Sequence, residues 1–489
     1  MKEKQSLPSA PILIETLRFV GYSFETAIAD LIDNCIAAEA KRIDIVLIPS
    51  ENPNLIIFDN GHGMSKKELE EALRYGARNP LETREENDLG RFGIGLKSAS
   101  LSQCRKVVVV SKKNEELSAF SWDIDYVIQK QDWALLEYEE DEIKQLPNIS
   151  LIENAKSGTY VLLQNFDKIA TTTVNLNVTL NNKMSEMIDH LALVFHRYLE
   201  KSLDIYVNNK KIIPRDPFLT THKSTMILRE QNFTIEGKNI KIKPFVLPHI
   251  NKLSKQDLEK VGGKEDLRNN QGFYVYRNKR LIIWGTWFRL TKKEELGKLA
   301  RVMVDIPSSL DYMWNIDIKK SSATLPDIIK KNLFACIDQS ILKSKTVHEF
   351  RGTRTKNNKD ISYIWERYEL REGCYEYRIN RNMPQLKLLE ESLDGNQLKA
   401  LDRVIKNIEE SFPTSTLYLD VSQGKVAQED IEKENDEKIE KLYEEIKADL
   451  EYCIKIGKSK DEMLKLLLNT EPYCYYEKLK DKFEEKEEK

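Results

Sequence analysis

The most constraining stretch of this chain is Gly90-Arg-Phe92-Gly93-Ile94-Gly95-Leu96-Lys97-Ser98-Ala99-Ser100, three glycines running directly into a helix-forming segment. Glycine reaches backbone conformations closed to other residues, and the first N–H groups of a helix have no intrahelical partner. A glycine-rich loop that opens a helix therefore offers free N–H donors to a phosphate. Gly90 and Gly95 have the spacing of a P-loop, but Leu96 separates Gly95 from Lys97. The P-loop pattern needs its lysine directly after the second glycine, so a P-loop nucleotidase is excluded.

Three further segments carry candidate chemistry. The run FETAIADLIDNCIAAEA, residues 24–40, has apolar residues recurring at three and four and predicts an amphipathic helix. Asp30 and Asn34 lie four apart on one face, where a carboxylate and an amide oxygen can share a hydrated Mg²⁺ and a water; the same spacing also suits a polar stripe on a surface helix. The strands RIDIVLI and NLIIFDN follow, and the second ends in Asp59-Asn-Gly61-His-Gly63-Met64. A strand-end aspartate can accept a hydrogen bond from an exocyclic amine, and two glycines admit a flat ligand close to the backbone. Asn60-Gly61 alone is equally a turn signal. Gly158-Thr159 enters the strand TYVLLQNF and by itself signals little. Between these segments, Ser65 and Glu68 form a capping box at the head of SKKELEEALRYGA, and polar residues 77–93 predict a mobile loop. RKVVVVSKK and LSAFSWDID read as strands, and residues 180–202 as helix.

In this order and spacing, the four segments resemble the GHKL ATPases, the superfamily of DNA gyrase B, the ninety-kilodalton heat-shock chaperone, histidine kinases and MutL. The resemblance covers residues 20–165 and implies a Bergerat fold, with ATP between helices and an antiparallel sheet. It implies Asn34 on Mg²⁺, Asp59 on the adenine amine with Thr159 assisting through a water, and Gly61, Gly63 and Met64 around adenine. It places Gly90, Phe92, Gly93, Ile94, Gly95, Leu96, Lys97 and Ser98 in a lid over the phosphates. Asp30 stands where many members carry a glutamate that activates water. Measured around the helix from Asn34, Glu25 lies half a turn away and Asp33 about 100° away, so Asp30 is the candidate base. The strings AIADLIDNCIAA and GRFGIGLKSAS look more like MORC ATPases and their bacterial relatives than like gyrase. MORC and MutL follow the ATPase with a transducer domain, and in that role Lys320, ahead of Lys319, is the candidate cation for the γ-phosphate. ATP-driven homodimerisation is implied, as is a helicase or nuclease partner in an anti-phage or restriction setting.

The remainder of the sequence sets the frame. The 489 residues divide into three expected blocks: an ATPase domain at 1–200, a transducer-like α+β domain at 201–350, and a mainly helical region of unknown role at 351–489. The fold class is α+β. Lys+Arg against Asp+Glu is 22 to 31 in the first block, 28 to 16 in the second and 26 to 32 in the third. A basic block between acidic ones suggests DNA as its partner, or else ordinary solvated lysines. Within it, Tyr274, Tyr276, Arg277 and Arg280 are either a nucleic-acid platform or cross-strand packing. No run of about 18 apolar residues predicts a membrane span. Six scattered cysteines without CxxC pairs suit a reduced, cytoplasmic protein without structural zinc. A protein-remodelling chaperone and a non-hydrolysing nucleotide-binding scaffold are the alternative functions.

Overall fold

The computed structural model describes residues 8–487 except 20, 49, 77–94, 171–174, 311–312, 315–326, 350–360, 370–374, 415, 418–419 and 421–435. Residues 1–345 and 346–489 form two units.

The first unit is built on two sheets. The larger contains β1 (Arg42–Ile48), β2 (Asn54–Asp59), β3 (Lys106–Lys113), β4 (Glu116–Asp123), β5 (Leu136–Glu137), β6 (Gly158–Gln164), β7 (Asp204–Val207) and β8 (Lys210–Lys211). Their order is β5-β4-β3-β6-β2-β1-β7-β8, antiparallel except for the parallel β1–β7 pair. Strict alternation sorts the side chains. Leu55, Ile57, Val107 and Val109 face a helical layer, while Ile56, Phe58, Val108 and Val110 cover Ile143, Ile149 and Ile152. The helical layer comprises α1 (Ala10–Leu17), α2 (Phe24–Ala37), α3 (Lys66–Leu73), α4 (Gly95–Gln103) and the helix Leu176–Val194, with α2 packed against α4 and that long helix. Helix α2 buries Ala27, Ile28, Ala29, Leu31, Ile32 and Cys35. Such apolar width embeds a helix rather than laying it on the surface, so the surface-stripe alternative for Asp30 does not hold.

The predicted capping box forms: Ser65 Oγ accepts from Glu68 N–H, and the Glu68 carboxylate accepts from Ser65 N–H. The hairpin at 204–211, expected in the second block, instead extends the first sheet. Ile205 and Val207 alternate into the helical-side core, and that burial fixes the pairing.

The smaller sheet contains β9 (Met226–Ile227), β10 (Gln231–Ile235), β11 (Lys238–Val246), β12 (Gly272–Arg277), β13 (Arg280–Thr286) and β14 (Ala300–Ile306). Its order is β10-β11-β14-β12-β13, with β9 on β11. Ile240, Ile242, Val275, Val302 and Val304 pack one face against Trp314, Ile329 and Leu333. Tyr274 and Tyr276 pack the other face with Phe218 and Phe245. The packing alternative holds for these tyrosines: both are buried, as are Arg277 and Arg280, because the sheet is covered on both sides.

The second unit holds an antiparallel strand pair, Trp365–Glu369 with Tyr375–Ile379, and several helices. Three of these helices are Asp436–Lys455, Lys460–Leu468 and Glu477–Glu487. They bury Leu442, Ile446, Leu450, Leu467, Leu479 and Phe483 in a core of their own. Among the described residues, no helix is long and apolar enough to cross a membrane.

Candidate active site

The site is assembled around α2. At the end of β2, Asp59 is paired in register with Thr159 of β6, and Thr159 with Ser111 of β3. Cross-strand pairs share a face, so three neighbouring strands end in a polar row where their apolar alternation stops. The loop after β2 closes over this row. Gly61 N–H donates to Asp59 Oδ1 at 2.8 Å, Ser157 Oγ donates to the Gly61 carbonyl at 2.7 Å, and Met64 N–H donates to Ser111 Oγ at 2.8 Å. Ser111 Oγ in turn donates to the Gly158 carbonyl at 3.1 Å. A Cβ on Gly63 would stand 2.0 Å from the Lys112 carbonyl oxygen, at a φ of +65°, and one on Gly61 would stand 2.5 Å from the Ala38 oxygen. Both positions need glycine because the loop passes so close over β3 and α2.

Burial pushes the Asp59 carboxyl up to about 6, with the N–H groups of Gly61 and Thr159 and the Cys35 thiol holding it partly down. Burial, followed by the Asp59 charge, pushes the Cys35 thiol far up, so it stays protonated and inert. A buried acceptor with a restricted approach suits recognition of one hydrogen-bond donor on a flat ring.

On α2, Asn34 is exposed while Asp30 and Asp33 are buried. Tyr22 OH donates to Asp30 Oδ2 at 2.7 Å. Arg280, from the second sheet, places Nη2 3.3 Å from Asp30 Oδ1 and Nε 2.8 Å from Asp33 Oδ1. Sequence reasoning left Arg280 and Ser111 out of the site. Ser111 had a faint signal, a polar residue ending the run VVVV; Arg280, 250 positions from Asp30, had none.

At the head of α4, Ser98 is buried, and its Oγ has no hydrogen-bond partner among the described residues. Lys97 is also buried, but its ammonium donates to the Ala72 and Arg74 carbonyls at 2.9 and 2.8 Å. It thus satisfies the C-terminal end of α3, where a helix dipole favours a cation. Leu96 and Met64 are half-buried against the helical core. Gly90, Phe92, Gly93, Ile94, Lys319, Lys320 and the loop 77–93 lie outside the described residues.

These features fit the groups that the sequence resemblance implies. The Asp59–Thr159–Ser111 row and the glycine cradle suit a purine, and the unpartnered Ser98 hydroxyl suits a phosphate oxygen. Among the described residues no three His, Cys, Asp or Glu side chains converge as a metal cage. A Mg²⁺ here would depend on nucleotide phosphates, with Asn34 as the accessible side-chain oxygen.

Residues 22–159 match the family described as histidine kinase-, DNA gyrase B-, and HSP90-like ATPase. Chaperone protein HtpG of Rickettsia typhi (strain ATCC VR-144 / Wilmington) is 25% identical over 379 residues, covering 67% of this chain and 59% of that protein. ATPase MORC2B of Mus musculus is 34% identical over 96 residues, 19% of this chain and 9% of that protein. DNA mismatch repair protein MutL of Rickettsia prowazekii (strain Madrid E) is 31% identical over 96 residues, 19% of this chain and 16% of that protein. The chain thus spans less than two thirds of the length of each of these relatives. Motif order, sheet and the glycine loop agree with that match: residues 22–159 resemble a GHKL ATPase domain.

Proposed function

We propose that the protein binds and slowly hydrolyses Mg-ATP and uses the nucleotide state to close a homodimeric clamp on DNA. The carrying observation is the row Asp59–Thr159–Ser111 under a loop that Gly61 and Gly63 seat tightly against α2 and β3. Asp59 accepts from the exocyclic amine, and Ser111 and Thr159 hold the neighbouring ring edge. Asn34 is the side chain that holds the metal. When bound, Mg²⁺ neutralises charge on the phosphate oxygens. Asp30 takes the proton from the attacking water, and its Tyr22 hydrogen bond fixes one carboxylate oxygen while it does so. Lys320 is proposed, from sequence, as the cation that reaches the γ-phosphate.

The DNA reading rests on the excess of Lys and Arg in residues 201–350, narrowed by burial. Arg277, Arg280, Lys298 and Arg301 are inside the fold, whereas Lys241 on β11 is exposed and Lys243 half-buried on the same strand face. A second reading, a protein-remodelling ATPase, is favoured by the length of the alignment with HtpG, which runs far beyond the ATPase domain.

Phosphate release from Mg-ATP, measured beside DNA binding at low and moderate salt, tests both readings. The clamp reading expects slow turnover and DNA affinity that falls steeply with salt. Suppression of client-protein aggregation without DNA binding would replace it with the remodelling reading. Absence of phosphate release would leave a nucleotide-binding scaffold.

A further inference from the structure

The hairpin β12–β13 has an unusual destination for a basic tip. Its turn residues Asn278 and Lys279 both have positive φ, +47° and +67°, which is the mirror-image turn that continues strand twist. Tyr198 OH donates to the Asn278 carbonyl, so the tip is held against the ATPase layer. Arg280, the first residue after the turn, therefore enters the protein instead of pointing to solvent. Its guanidinium lies 5.7 Å from the Phe195 ring centroid and reaches Asp30 and Asp33 together. All three side chains are 4% exposed or less. Asp30 is then held from two sides, by Tyr22 at one oxygen and by Arg280 at the other.

The forked geometry of arginine matters here. Two buried carboxylates one helical turn apart repel, and one guanidinium with separated donors can face both. Lysine, a point charge, faces one at a time. Burial, and next the Arg280 charge, also push nearby His190 down to about 4, so it adds no competing positive charge at neutral pH.

We propose that Arg280 is a positioning residue for ATP hydrolysis: it bridges Asp30 and Asp33 and makes the orientation of the base depend on the seat of the second sheet's hairpin. The inference rests on the reading of Asp30 as the base. It gives the second sheet a direct mechanical address in the reaction. A shift of that sheet moves Arg280, and Arg280 moves the carboxylate that must meet the water. A displacement of about 1 Å in such a group is worth on the order of 100-fold in rate.

The test uses the full chain and measures phosphate release together with binding of a non-hydrolysable ATP analogue, with kcat expressed per nucleotide-binding site. Arg280→Gln should lower kcat about 30- to 100-fold while KM and analogue affinity stay within about threefold. Arg280→Lys, which keeps the charge but faces one carboxylate, should recover only in part, to a kcat about tenfold below the parent. A folded Arg280→Gln protein with the parent kcat overturns the proposal. So does a fall in binding stoichiometry and affinity that accounts for the whole loss, since that is only structural support. If Arg280→Gln does not fold, Arg280→Lys decides: a tenfold lower kcat at unchanged KM supports the proposal, and an unchanged kcat overturns it. Asp30→Asn separates the two levels. If it keeps parent turnover, the base assignment fails and Arg280 falls with it. If it is inactive while the Arg280 variants are normal, the proposal about Arg280 alone is lost.

Discussion

Two charged side chains reach helix α2 from different directions, and the contrast between them is instructive. Asp59 comes from the end of β2, and its nearest partner is the N–H of Gly61, two residues on. Arg280 comes from the tip of a hairpin in another sheet, and its partners are 250 and 247 positions earlier. Asp59 is held by a short loop whose glycines advertise it. Arg280 is held by the docking of one sheet against a helical layer. The first arrangement survives as a motif; the second exists only while the two layers are in place.

The largest expected effect tests the group that both layers serve. Asp30→Asn keeps the shape and the Tyr22 contact but cannot take a proton, so kcat should fall 10²- to 10⁴-fold with analogue affinity nearly unchanged. Retained turnover in a phosphate-release assay would assign the base elsewhere.

Next in size is a break in the local arrangement. Gly63→Ala puts a methyl 2.0 Å from the Lys112 carbonyl oxygen at a φ of +65°. The loop must shift, and destabilisation of about 2–4 kcal/mol is expected in urea unfolding, together with weaker nucleotide binding. A neutral effect on both would show that the loop is not tightly seated on β3.

Asp59→Asn sharpens the comparison because it should separate binding from stability. The amide still offers an oxygen to Gly61 but loses the charge that an exocyclic amine prefers. ATP affinity should drop about 10- to 100-fold, the range of a hydrogen bond to a charged group. The Asp59 carboxyl is raised in the fold, from 3.8 to about 6. Its contribution to stability is therefore complete below pH 3.8 and is lost as pH rises towards 6. At pH 7 the parent carries a penalty of up to about 3 kcal/mol that the amide avoids. Denaturation at pH 4.5 and pH 7 should show Asp59→Asn gaining on the parent at the higher pH. A constant difference would contradict the burial of this carboxylate.

The smallest effect lies outside both regions. Lys241→Ala, at an exposed side chain of β11, should weaken DNA binding only severalfold and lower the salt slope by about 1, without altering turnover. An unchanged slope would remove this strand face from the DNA surface.

Much of the fold was readable because it follows from local periodicity. The alternation in RIDIVLI, NLIIFDN and RKVVVVSKK places each strand, and the capping box at Ser65 starts α3 where expected. The loop after β2 was readable for the same reason, since Asp59, Gly61 and Gly63 are arranged within a few residues of one another. Other features depend on proximity in space rather than in sequence. The hairpin at 204–211 was assigned to the second block although it completes the first sheet. Lys97 stands beside the glycine loop in sequence, yet its ammonium closes the end of α3.

By itself, then, the sequence determined which residues could form a phosphate-accepting helix start, a strand-end acceptor and an apolar helix carrying Asp30, because backbone preference and side-chain periodicity act over a few residues. Only the tertiary structure decided that Ser111 joins Asp59 and Thr159 in one row, that Tyr274 and Tyr276 are core rather than surface, and that Arg280 meets Asp30 and Asp33. Those outcomes depend on strand order and on which sheet covers which layer. Burial of apolar area sets both, and it is a property of the assembled fold rather than of any short stretch of chain.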